Sequence, residues 1–160
     1  MLTVPEDRRG EVFRPTHFLA AHGLELMIKA CLILNKKKVK KEDEKEAPQK
    51  KKNGHDIAAD WASELCEKLR YCARVHAAAV GVEMQQHGYL NPDLTEDGHR
   101  SVFDMHVSDL IALLGESGYP LRYPSADGSK KAPPLPFMVT VLHRTANEFL
   151  EHPMDFRIKG

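Results

Sequence analysis

Three side chains in the first third of the sequence stand where charge is costly. His22, Glu25 and Lys29 interrupt the run Thr16-His-Phe-Leu-Ala-Ala-His-Gly-Leu-Glu-Leu-Met-Ile-Lys-Ala-Cys-Leu-Ile-Leu34, which is otherwise nearly all apolar. At about 100° per residue the three positions fall within roughly 60° of one another on a helix. A helix apolar almost all round is normally buried, and an unpaired charge carried into a core is expensive. The triplet therefore either lines a polar cleft or partner face, or pins helix packing. Glu25 and Lys29 have the favourable i, i+4 order for an ion pair. His55 and Asp56 follow in Gly54-His-Asp-Ile57. An aspartate at a helix start accepts backbone N–H groups, and a preceding glycine allows the turn. If the two helices pack as a hairpin, His55 can approach the triplet.

The elements that would position these groups are helices. The chain has 160 residues, enough for one domain with its own core. Met1–Arg14 reads as a flexible N-terminal arm, and the first helix as running from Pro15 to about Leu34. Residues 36–53 read as a disordered charged loop: positions 36–52 hold nine Lys against four acids within a chain of zero net charge. That loop is a solvated connector or a source of phosphate contacts through Lys36, Lys37, Lys38, Lys50, Lys51 and Lys52. A second helix begins near Asp56, with Ile57, Trp61, Leu65, Leu69, Cys72 and His76 at helical spacing, and continues to about Gln86 with a kink at Gly81. Thr95 is an N-cap, with Glu96 and Asp97 favouring the dipole of a helix that runs to about Leu114. Residues 115–136, rich in Gly, Pro and Ser, read as irregular. A last helix spans about Phe137–Glu151, and 152–160 form a C-terminal tail. No strand pair or repeat stands out. The fold class is all-α, a four- to five-helix antiparallel bundle filling residues 15–151.

His22-x-x-Glu25-x-x-x-Lys29-Ala30, then Gly54-His55-Asp56, then Leu121-Arg-Tyr-Pro124 before a final helix, stand together in that order. This combination resembles the HEPN superfamily, helical-bundle proteins of prokaryotic defence and toxin–antitoxin systems, over roughly residues 16–150. The resemblance implies a bundle of four or five helices, often dimeric. Many relatives are metal-independent RNases marked by Arg-x4–6-His; others are inactive binding or partner modules. Two segments match that motif, Arg70–His76 and Arg100–His106, about the number chance supplies for nine Arg and nine His. Neither lies in the last helix. His76 reads as a core histidine. In the catalytic reading His106 moves a proton and Arg100 stabilises charge at phosphorus; otherwise both are surface or boundary residues.

Nothing else announces chemistry. The cysteines, Cys31, Cys66 and Cys72, read as reduced, mostly buried thiols. No H-E-x-x-H, H-x-x-x-H or Cys/His ligand spacing points to a metal, and no glycine loop cradles phosphate, so no metal or cofactor is expected. With no signal peptide and no run of transmembrane length, the expectation is a cytoplasmic protein without a membrane role. What the resemblance implies is a non-catalytic module associated with RNA or nucleotide and a partner protein, and itself a homodimer. A metal-independent endoribonuclease of toxin type and a purely structural interaction domain are the alternatives.

Overall fold

The computed structural model describes residues 9–39, 56–115 and 135–158. Every regular element among them is helical: α1 (Arg9–Val39), α2 (Ile57–Ala62), α3 (Glu67–Gln86), α4 (Glu96–Gly115) and α5 (Leu135–Glu151), with short 3-10 turns at Glu64–Cys66 and Pro153–Phe156. The all-helical bundle expected from the sequence is what forms. His55, Lys50, Lys51, Lys52 and the Leu121–Pro124 motif lie outside the described residues.

The core is built where the helical periodicity places it. Leu24, Ile28, Leu69, Ala73, Val80, Phe103, Val107, Leu110, Phe137, Met138 and Val141 are buried together. Each large side chain removed from water in this way contributes roughly 1.5–3 kcal/mol. α3 packs on both α4 and α5, and α1 lies across α4 and α5. The partners of α3 and α5 fix their relative direction. Lys68 Nζ donates to Asp155 O at 2.7 Å, His76 meets Glu148 at 2.7 Å, and Arg144 grips Glu83 at 2.8 and 2.7 Å. As one number rises the other falls, so the two run antiparallel.

The elements differ from the sequence reading at several points. α1 takes in residues 9–14, assigned to the arm, and 36–39, assigned to the loop. The lysines that look like loop residues are good helix formers and suit the negative end of the helix dipole. The single second helix is two. Ser63 is extended (ψ 153°) and its hydroxyl donates to Asp60 O at 2.7 Å. Arg70 then reaches back to Ser63 O at 2.8 Å and to Trp61 O, capping carbonyls that a continuous helix would use itself. Gly81 is no kink but lies inside an unbroken α3. Residues 153–158 are no loose tail: Phe156 is buried and meets Phe149 edge-on, ring centres 5.0 Å apart.

Asn35, at the head of the polar run, is buried and ties that ending down. Its Nδ2 donates to Cys31 O (3.1 Å), Leu65 O (3.0 Å) and Phe156 O (3.2 Å), and its Oδ1 accepts from Ile158 N (3.0 Å). The three cysteines are free and buried, as expected. One further reading needs correction. Thr16–Asn35 is long and apolar enough to cross a membrane by length and composition, yet here one side of it, Ala20, Ala21, Leu24, Ile28, Cys31 and Leu32, is core.

Candidate functional site

The first-helix triplet closes on itself. Lys29 Nζ donates to Glu25 Oε1 at 2.6 Å, and His22 Nδ1 lies 3.3 Å from Glu25 Oε2. Glu25 is largely covered while its partners stand half in solvent. The Lys29 ammonium, and after it burial and the His22 contact, act on the Glu25 carboxyl; the net effect holds it below its ordinary range. Phe18 stacks parallel to the His22 ring, 5.9 Å between centres. Each charge is answered within the helix, so the triplet is a self-contained polar ridge.

Asp56 is exposed and caps α2, accepting from Ala59 N at 3.0 Å. Arg100 is spread over two acids of its own helix, Asp97 at 2.5 Å and Glu96 at 3.2 Å. His106, mostly covered, faces Asp109 at 3.3 Å. Six residues along a helix separate Arg100 from His106 by about 9 Å of rise and about 120° of rotation. The two share no partner among the described residues. Lys36, Lys37 and Lys38 are successive positions in the last turn of α1.

Beside the triplet runs a face that the sequence reading assigned to the core. Leu19, Leu26 and Ile33, each seven residues from the next, are 65%, 53% and 61% exposed. Between this ridge and α5 lies an open apolar groove of about 350 Å³, lined by Ala20, Gly23 and Met27 on one side and Val139, Leu142 and Ala146 on the other. A side chain at Gly23 would meet nothing within 4 Å. Leu34, Met27 and Ala30 pack partly against the core; the ridge does not. The signal was legible, because α1 has apolar residues on more of its circumference than one core needs.

A second cluster joins α3 to α5. Cys72 is buried, His76 is mostly covered and Glu148 is about half exposed. One ligand atom from each lies within 4.8 Å of the other two, and His76 Nε2 meets Glu148 Oε2 at 2.7 Å. Burial, with the Glu148 carboxylate beside it, pushes the Cys72 thiol up to about 12. His76 is thus no core histidine but half of an inter-helix pair. The sequence signal was the Cys72-x-x-x-His76 spacing, which puts both on one helix face. Glu148 lies 72 residues beyond His76 and is unreadable as its neighbour without the fold.

His99 is the remaining unusual group. It is fully buried at the start of α4, and neither ring nitrogen has a hydrogen-bond partner among the described residues. Burial holds its pKa below the ordinary imidazole value.

With this geometry in view, comparisons with protein-family models, with curated proteins and with solved structures give no match.

Proposed function

We propose that the chain is a non-catalytic, HEPN-like helical module whose protein partner is a second copy of itself, docked through the α1/α5 face. The observation that carries this reading is the ridge of Leu19, Leu26 and Ile33 beside the groove walled by Gly23 and Ala146. Apolar patches of this kind mark interaction sites. A two-fold interface needs one face to hold both the projection and the recess it fills, and this face holds both. The seven-residue repeat gives the side-by-side spacing that two packed helices use. A lipid surface fits less well, since the Glu25–Lys29 pair stands midway along the same helix and charges are costly in hydrocarbon.

The nuclease alternative gains no support from the site: Arg100 is held on two acids and His106 on a third. Phosphate contacts by the lysines that end α1 and continue beyond it remain part of the proposed module. Such contacts would make RNA binding fall steeply with salt.

Sedimentation equilibrium at micromolar concentration is the test, beside a Leu19→Lys/Leu26→Lys variant. Both positions are exposed, so the variant keeps its helical fold. The expected result is a dimer for the parent and a monomer for the variant. A monomeric parent, a dimer that survives the substitutions, or co-flotation with anionic lipid vesicles that the substitutions abolish would overturn the reading.

A further inference from the structure

Cys72, His76 and Glu148 form a constellation that self-association leaves unused. Around the α5 axis Glu148 stands roughly 160° from the Val139–Ala146 stripe, so the cluster is independent of the docking face. We propose that Cys72, His76 and Glu148 bind a divalent transition-metal ion of the zinc type, with water in the fourth position.

The donor set argues for such an ion. A thiolate, an imidazole and a carboxylate are the three side-chain types that zinc takes, at about 2.3, 2.0–2.1 and 2.0–2.2 Å. A tetrahedron with those bond lengths has edges of roughly 3.3–3.8 Å between ligand atoms. The atoms here already lie within 4.8 Å of one another. His76 and Glu148, at 2.7 Å, need to part by only about 0.6–0.8 Å as the ion takes the place of their shared proton. Hard cations such as calcium and magnesium select oxygen donors instead.

The scaffold supports the same conclusion. Cys72 and His76 are one helical turn apart on α3, and Glu148 comes from α5, antiparallel to it. The Glu83–Arg144 pair joins the two helices on one side of the cluster, and on the other Lys68 of α3 holds Asp155 O in the turn that follows α5. No large rearrangement is needed to bring the ligands together. The buried sulfur forms the floor and the half-exposed carboxylate the rim, which gives the ion a path in and a water its place. On binding, the Cys72 thiol loses its proton to solvent and the proton between His76 Nε2 and Glu148 shifts to His76 Nδ1 or leaves to solvent; the sulfur, His76 Nε2 and a Glu148 carboxylate oxygen then each donate a lone pair, and no oxidation state changes.

Cobalt(II) replaces zinc and reports on its ligands, because a cobalt–thiolate bond gives a near-ultraviolet charge-transfer band and a tetrahedral site gives intense visible bands. Titration of the purified metal-free chain with cobalt is expected to saturate at one equivalent with both features, and zinc is expected to displace it. Cys72→Ser should abolish the charge-transfer band. His76→Ala and Glu148→Gln, at partly exposed positions where folding is spared, should each weaken binding at least about tenfold. Cys31→Ser should leave the spectrum unchanged. Zinc should also raise the melting temperature of the parent more than that of Glu148→Gln. A cobalt spectrum without the charge-transfer band, a band that persists in Cys72→Ser, or a zinc-induced rise in melting temperature shared equally by Glu148→Gln would overturn the assignment. None of these readouts depends on whether the chain dimerises.

Discussion

Gly81 on α3 and His99 on α4 are a matched pair: a Cβ at position 81 would lie 2.2 Å from His99 Cγ. The imidazole occupies the space where a side chain on α3 would be, so the absence of one lets the two helices approach this closely. Gly81→Ala is expected to cost about 1–3 kcal/mol through overpacking. In Gly81→Ala/His99→Ala part of that cost should vanish, giving a coupling of about 1 kcal/mol or more in a double-mutant cycle by urea denaturation. Additive losses would show that the ring moves aside freely.

His99 also gives stability a dependence on pH. Its folded pKa lies below the unfolded value, by burial. As pH falls through about 6.5 the unfolded chain takes up a proton that the folded chain refuses, and stability drops. Above that range the histidine contributes no pH dependence. His99→Leu removes two buried nitrogens that lack partners and should be neutral or stabilising at pH 7. Its advantage over the parent should widen at pH 5.5, as denaturation midpoints at the two pH values will show.

Glu25 acts at lower pH with the same sign. Its carboxyl is held down chiefly by Lys29, so the stability it adds is present above about pH 4.3 and lost as pH falls through the depressed folded value. Because Lys29 and His22 are partly solvated, Glu25→Gln should cost less than about 1 kcal/mol at pH 7. The difference from the parent should disappear in acid. A constant gap at all pH values would mean that the loss is one of packing rather than charge.

Asn35→Leu should be the most damaging single change of these. It keeps the branch at Cγ and the number of side-chain heavy atoms but strips the amide from the carbonyls of Leu65 and Phe156 and from the N–H of Ile158. Leaving buried backbone groups without partners costs about 1–3 kcal/mol each. A loss of at least about 2 kcal/mol is expected, with faster amide exchange at Ile158 and in the Pro153–Phe156 turn.

Local chemistry was legible in the sequence and distant chemistry was not. The α4 start was readable because Thr95 caps it from three residues away, accepting from Gly98 N at 3.2 Å. The Glu25–Lys29 pair was readable for the same reason. The break at Ser63 has no local signal, because the guanidinium that stabilises it belongs to Arg70, inside an apolar repeat that reads as unbroken. Asn35 looked like the first of a polar run, since its partners are backbone groups up to 123 residues away. The Leu19–Leu26–Ile33 ridge and the buried face of α1 are equally apolar, and only the packing of α4 and α5 distinguishes them. Phe156, a single aromatic among polar neighbours, carries no periodic signal at all.

The Asn35 bonds also bear on the order in which the protein can be made. A ribosome lays down Asn35 well before Phe156 and Ile158, 121 and 123 residues later. Synthesis takes seconds, at about 5–20 residues per second, whereas helices form within about a microsecond. α1 therefore waits for several seconds before its Asn35 amide meets Phe156 and Ile158, held meanwhile by the bond to Cys31 O within the helix, and with the Leu24 and Ile28 face uncovered. During that interval the nascent chain presents a long apolar helix to whatever meets it first, and a chaperone or another growing chain has access to the surface that α4 and α5 later claim.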